Sequence, residues 1–288
     1  MASSATNPST IRAATLAGCG AIGLWAVLAL LSRAASTVPP LQLTAMSFAV
    51  SGGLGLAWLA FRGQLRDLHQ PPLAWAHGVG GLFGFHALYF ASLARAPAAT
   101  ANLINYTWPL LIVLLSAALL GLRLTWRHGL GTLLALAGCA LLLGGAAAFP
   151  AGAALGYALA ATSAVVWALY SVLSRRFATV PPGAMAGFCT GTATLSAGMH
   201  LLTEATVTPD PAAWAAVLAL GLGPVGAAFV LWDRGMKRGD PRLLGTLAFA
   251  TPVLSTLLLA GAGLAPFTAM TVLASVLVAA GGLAAARG

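Results

Sequence analysis

The chain has 288 residues, of which 59% are hydrophobic and only 7% charged. Soluble domains carry roughly 25% charged residues, so this composition excludes an ordinary soluble fold and leaves no room for a soluble domain. The formal net charge of +9 comes from 14 Lys and Arg against 5 Asp and Glu. Those charges are spread over short segments with no basic stripe, which argues against a nucleic-acid partner.

Ten apolar runs follow one another along the chain, near residues 13–34, 40–61, 73–95, 98–121, 127–148, 152–175, 183–203, 212–236, 242–263 and 267–286. A helix rising about 1.5 Å per residue needs roughly 20 residues to cross about 30 Å of hydrocarbon, and each run is close to that length. The predicted fold class is an all-α polytopic membrane protein with ten transmembrane helices. Residues Met1 to Thr10 are polar and lack the basic start of a signal peptide, so the first run is expected to be retained as a span.

Charge placement sets the orientation. With the N-terminus inside, the inner segments carry Arg12, Arg62, Arg66, Arg123, Arg127, Arg175, Arg176, Arg234, Lys237, Arg238, Arg242 and Arg287, leaving only Arg33 and Arg95 outside. Both termini are therefore expected in the cytoplasm.

Pro40, Pro72, Pro97, Pro182, Pro211, Pro241 and Pro266 stand at or just before predicted helix starts, where a missing N–H costs nothing. Pro109, Pro224 and Pro252 lie inside runs instead, each freeing a carbonyl and kinking its helix. They are the candidate hinges, with simple packing kinks as the alternative. Gly80-x-x-x-Gly84 and Gly187-x-x-x-Gly191 offer small faces for close helix contact. Cys19, Cys139 and Cys189 sit inside apolar runs without metal or redox spacing, so no metal site or cofactor is expected.

The chain repeats internally. Placing Pro109 on Pro252 aligns Tyr89 with Trp232, Arg95 with Arg238 and Tyr106 with Phe249 at an offset of 143. Placing Trp25 on Trp167, at an offset of 142, aligns Ser32 with Ser174 and Arg33 with Arg175. Two units are expected, residues 1–149 and 150–288. Five helices per unit, an odd number, would invert one relative to the other, an arrangement typical of transporters whose site lies near the midplane between the halves.

Polar side chains inside the runs mark that site. Phe85, His86 and Tyr89 fall within one turn of the third run, and Asn102, Asn105 and Tyr106 share a face of the fourth with Trp108 beside it. Amides, an imidazole and phenols are costly against lipid, so they are expected to face a cavity or each other. Trp25 and Trp167, related by the repeat, are placed to close the cavity from either half, and Tyr170 follows one turn after Trp167. Singly, each of these residues also fits packing or an interhelical hydrogen bond. As a cluster they suit a ligand with a planar apolar body, an ammonium for the ring faces, and a carboxylate for the amides and His86.

Asp67, Glu204, Asp210, Asp233 and Asp240 all fall in predicted loops or at helix ends, which leaves no acid for a proton relay or sodium site in the membrane core. Asp233 and Lys237, four apart, read as a local ion pair. Any ion coupling would fall to His86 or to carbonyls at the kinks; the simpler reading is a facilitator working by alternating access. An intramembrane enzyme would need a nucleophile with its base, paired aspartates or metal ligands, and the runs contain none. A channel would favour a continuous polar pore, whereas the polar groups here are localised.

The paired segments "AIGLWAVLALLSRA" and "AVVWALYSVLSRRF", and "YFASLARAPAATANLINYTWPLLIVLLSAALLG" with "LWDRGMKRGDPRLLGTLAFATPVLSTLLLAG", resemble the two EamA repeats of the drug/metabolite transporter superfamily. Many members carry Glu soon after the proline-bearing helices; this chain has Gly121-Leu122-Arg123 and Gly261-Ala262-Gly263 there. The segment Asn105 to Pro109, "NYTWP", is similar to that of the YddG-type aromatic amino acid exporters. The resemblance implies export of aromatic amino acids across a bacterial inner membrane by a chain working as a monomer in lipid. Export of other metabolites or amphipathic drugs, with or without proton coupling, stays open.

Overall fold

The computed structural model describes residues 8–144 and 147–288, so most of the polar start expected at Met1 to Thr10 lies outside the described residues. Among the described residues the chain is all-helical with no strand. Its helical units are α1 (Pro8–Ala34), α2 (Pro40–Phe61), α3 (Pro72–Leu93), α4 (Ala98–Leu120), α5 (Trp126–Gly144), α6 (Ala151–Phe177), α7 (Ala184–Thr203), α8 (Pro211–Arg238), α9 (Pro241–Gly261) and α10 (Ala269–Ala286). Eight of these are long and apolar enough to cross a membrane. The other two, α3 and α7, are as long, but glycines, hydroxyls and imidazoles such as His77, His86, Thr190, Thr192 and His200 dilute their apolar character.

Local chemistry sets where the units start and stop. Proline occupies the first turn of α2, α3, α8 and α9, where its lost N–H is not needed. Asp210 caps α8 by accepting from Ala213 N, Asp240 caps α9 by accepting from Arg242 N and Leu243 N, and Thr268 caps α10 through Thr271 N. The Glu204 carboxylate accepts from Leu41 N at 3.0 Å and Gln42 N at 3.1 Å, closing the start of α2 from the end of α7. Gly121, at φ 67°, ends α4 in the left-handed conformation.

Packing follows the repeat. α5 lies on α10, α2 on α7, α1 on α8, α3 on α6 and α4 on α9, while α6 touches α4 as α1 touches α9. Exchanging the halves maps each pairing onto itself or onto another of them. The α5–α10 seam is backbone on backbone: a Cβ at Gly131 would stand 2.5 Å from Gly281 O, and one at Gly281 would collide with Gly131 O. Gly187 and Gly191 face Trp75 and Val79 of α3, the close approach that spacing suggested. Gly80 meets nothing within 4 Å, however; α3 packs instead through Gly78 against Phe188 and Gly81 against Tyr170. The outer surface carries exposed Leu16, Leu54, Leu133, Leu155, Leu201, Leu202, Leu273 and Val276, an apolar coat that belongs in lipid.

Among the described residues four units are interrupted between their ends, while α6 begins and finishes in 3-10 turns at Ala151–Ala153 and Ser174–Phe177. α4 opens at Tyr106–Thr107, just before Pro109, and α9 opens at Phe249, just before Pro252, two breaks related by the repeat. α8 contains a π-turn at Gly223–Ala227 around Pro224. α1 breaks at Val27, without a proline, between Pro8–Ala26 and Leu28–Ala34.

Candidate functional site

The four interrupted helices, with α2, α3 and α6, surround a cavity of about 420 Å³. It is bounded by α1, α2, α3, α4, α6, α8 and α9 and extends to the α1–α2 connection, where Ser32, Ser36, Val38 and Pro40 line it. Its volume lies within the roughly 300–1,000 Å³ typical of small-molecule sites. A second hollow of about 510 Å³ runs along the flank between α2, α7 and α8, walled by the exposed Leu54, Trp58 and Leu222. We centre the site on the first, because the intramembrane polar groups and the repeat-related aromatics converge there.

The floor is a cluster of indoles. Trp25 of α1 and Trp167 of α6, repeat partners, meet edge-on with centroids 5.6 Å apart. Trp108 of α4 stands 6.4 Å from Trp25 and 6.2 Å from Trp167, while Trp232 of α8 lies beneath, 5.0 Å from Trp25. The Trp25 indole N–H donates to Pro224 O at 3.0 Å, tying the α1 side of the cavity to the π-turn of α8.

Seven of the nine predicted site residues line this cavity: Trp25, His86, Tyr89, Asn105, Tyr106, Trp108 and Trp167. Asn102 does not line it; its side-chain oxygen accepts a hydrogen bond from the Tyr89 hydroxyl. Tyr170 lies below the floor, fully within the core, 5.3 Å from Trp167 and stacked on His77. Asn105 Nδ2 donates to Ser163 Oγ at 2.6 Å, which fixes its amide across the α4–α6 contact. Each candidate hinge falls at an irregularity: Pro109 after the α4 break, Pro252 after the α9 break, and Pro224 in the π-turn.

Several lining residues were not singled out from sequence, among them Phe48, Phe90, Phe229, Ser47 and Thr251. Phe229 is in stacked contact with Phe48 at 5.6 Å and touches Trp167 at 5.8 Å. Their signal was present only in part: Phe229 stands three residues before Trp232, so the two share a helix face.

His86 Nδ1 lies 2.7 Å from Leu82 O, which places the proton on Nδ1 and leaves Nε2 an acceptor in the neutral ring. The hydroxyls of Ser47 and Thr251 have no hydrogen-bond partner among the described residues. Among the described residues, none that lines the cavity is Asp, Glu, Lys or Arg. It therefore presents ring faces and carbonyls to a cation, and hydroxyl and amide donors to an anion, on a mainly aromatic surface.

The sequence pattern of the EamA-like transporter family matches residues 12–144 and again 154–286. The chain belongs to the EamA-like transporter family. Among its relatives, the aromatic amino acid exporter YddG of Ancylobacter novellus is 52% identical over 272 residues, spanning 93% of this chain and 95% of that protein. The protein of the same name from Salmonella typhimurium is 28% identical over 276 residues, spanning 87% and 89%. A crystal structure with 50% sequence identity superposes with a TM-score of 0.92, covering 96% of this chain and 98% of its own. This EamA-family chain is accordingly a multi-pass membrane transporter.

Proposed function

We propose that the protein carries aromatic amino acids, and similar small amphipathic metabolites, outward across a bacterial inner membrane. The observation that carries this reading is the cavity of about 420 Å³, walled by Trp25, Trp108, Trp167, Phe48, Phe85 and Phe229 and free of acids and bases other than His86 and phenols. An aromatic ring stacks on such walls, and its ammonium gains about 0.5–2 kcal/mol over each well-placed ring face. The carboxylate is met by the remaining Asn105 amide N–H and by the Ser32 and Ser36 hydroxyls. The name borne by the 52% identical relative agrees with this chemistry.

In this reading all ten helical units cross the membrane, with both termini cytoplasmic, and residues 1–149 and 150–288 form inverted halves. The α1–α2 loop is then on the outer side, and the cavity faces outward. Transport proceeds by alternating access, with α4, α8 and α9 bending at Pro109, Pro224 and Pro252. One chain encloses the whole cavity, so a monomer suffices. Without an acid in the wall, transport is facilitative.

The deciding experiment is uptake of radiolabelled phenylalanine into proteoliposomes without an ion gradient, with Trp108→Ala and Trp167→Ala beside wild type. Saturable uptake, reduced in both variants, is expected. Uptake only under a pH gradient would move the mechanism to proton coupling through His86, and no uptake under any gradient would overturn the substrate.

A further inference from the structure

Below the tryptophan floor, opposite the open cavity, lies a closed cluster of ionisable groups that the cavity does not use. Asp233 and Lys237, one turn apart on α8, form a 2.8 Å ion pair with side chains 11% and 8% exposed. Lys237 Nζ also donates to Val180 O at 3.2 Å. His77 of α3 meets Ser174 Oγ of α6 at 3.1 Å, and its ring stacks on Tyr170 at 4.9 Å and on Phe177 at 4.5 Å. Val180 N in turn donates to Phe177 O at 3.0 Å, so the ion pair and the rings adjoin one another.

Closure of this end does not explain the pair. At the repeat offset of 143, the counterparts of Asp233 and Lys237 are Phe90 and Ala94, so the other half carries no charge at the same place. A buried ion pair adds little or nothing to stability over apolar packing of the same volume. That desolvation cost is borne on one side of the molecule only. A ligand that itself carries one positive and one negative charge accounts for this. The rings supply the rest of the ligand's path: Trp167 to Tyr170 at 5.3 Å, then His77, then Phe177, run from the cavity floor to the end of α6.

We propose that Asp233 and Lys237 form a second subsite, on the face opposite the open cavity, for the zwitterionic head of an α-amino acid. This rests on the amino acid reading above. While this end is closed the two side chains neutralise each other. When it opens, the ligand ammonium takes the Asp233 carboxylate and the ligand carboxylate takes the Lys237 ammonium, so no charge is left buried and alone at any stage. The ligand ring lies against Tyr170, His77 and Phe177 and passes from there to Trp167.

The test uses inside-out and right-side-out membrane vesicles containing the full chain. Phenylalanine KM is measured at each face, with inhibition constants for 3-phenylpropionate, which lacks the ammonium, and 2-phenylethylamine, which lacks the carboxylate. Asp233→Asn is expected to raise the phenylalanine KM at the cytoplasmic face by about tenfold or more while leaving 3-phenylpropionate within about twofold. Lys237→Gln is expected to do the same while sparing 2-phenylethylamine. The double variant has no unpaired charge to destabilise the fold, and should raise the phenylalanine KM at that face alone. A double variant with wild-type KM, or variants that weaken all three ligands equally or lower only kcat, would overturn the subsite. Wild-type protein that moves another cargo but no phenylalanine would instead overturn the substrate reading, and the subsite with it.

Discussion

Replacing Trp25 by Phe removes one donor while keeping an aromatic ring in the cavity floor. The lost bond is the 3.0 Å contact from the indole N–H to Pro224 O, which joins α1 to the π-turn of α8. The packing against Trp232, Trp167 and Phe229, at centroid distances of 5.0, 5.6 and 6.1 Å, is retained in large part by a phenyl ring. Interhelical hydrogen bonds in membrane proteins average about 0.6 kcal/mol and reach about 1.7. If α8 bends at Pro224 during transport, the bond is made in one state and broken in the other, and its loss shifts the balance roughly three- to twentyfold. The assay places single cysteines by Ser32→Cys at the α1–α2 end of the cavity and Ser174→Cys at the opposite end, with Cys19, Cys139 and Cys189 replaced. The ratio of their labelling rates follows the ratio of the two open states. Trp25→Phe should lower the Ser32→Cys to Ser174→Cys ratio by that factor, whereas Phe229→Leu, which also alters a lining ring but breaks no hydrogen bond, should move it less. An unchanged ratio, or an equal change in both variants, would refute the coupling of Trp25 to Pro224.

Two buried hydroxyls behind the cavity wall, those of Ser47 and Thr251, have no hydrogen-bond partner among the described residues; Ser47→Ala and Thr251→Val should therefore move the unfolding free energy by less than about 0.5 kcal/mol and leave the phenylalanine KM within about twofold of wild type. Gly281→Leu should instead cost about 1–3 kcal/mol or more in a detergent thermal melt because its side chain meets Gly131 O, with KM preserved in whatever protein survives. At the start of α9, burial raises the Asp240 carboxyl, but hydrogen bonds and charge from Arg242 and the N–H groups of Arg242 and Leu243 outweigh it and hold the group below its ordinary 3.8. The stabilisation from this cap is thus complete above that value and lost as pH falls through the lower folded-state pKa. Asp240→Ala should cost about 1 kcal/mol at neutral pH, and the gap to wild type should close in melts taken below about pH 4.

The membrane class was legible because apolar length is a property of composition, and helix starts because Pro40, Pro72, Pro211 and Pro241 need no neighbour to act. The polar residues gathered at the cavity were legible for the same reason: an imidazole or amide within a span has few places to go. What sequence missed depends on partners. Nothing in the sequence distinguished Asn102, whose oxygen is spent on Tyr89, from Asn105, which reaches the wall. Tyr170 shares an approximate face with Trp167 but stands a turn further toward the closed end, which puts it under the floor instead of in it. The break at Val27 has no proline to announce it, and the continuous helix through Trp167 shows that the repeat alone does not require it. On α3, glycine spacing marked Gly80 and Gly84, while the shape of Phe188 and Tyr170 selected Gly78 and Gly81.

The four indoles at the floor come from α1, α4, α6 and α8, with neighbouring centroids between 5.0 and 6.4 Å. At such separations the excited states of adjacent indoles couple, and the coupling changes sign and size with their mutual angle. Because the rings ride on different helices, any rearrangement that carries a ligand past them must rotate one relative to another. The near-ultraviolet circular dichroism of the unlabelled protein should therefore record the transport cycle as it happens, with no probe introduced.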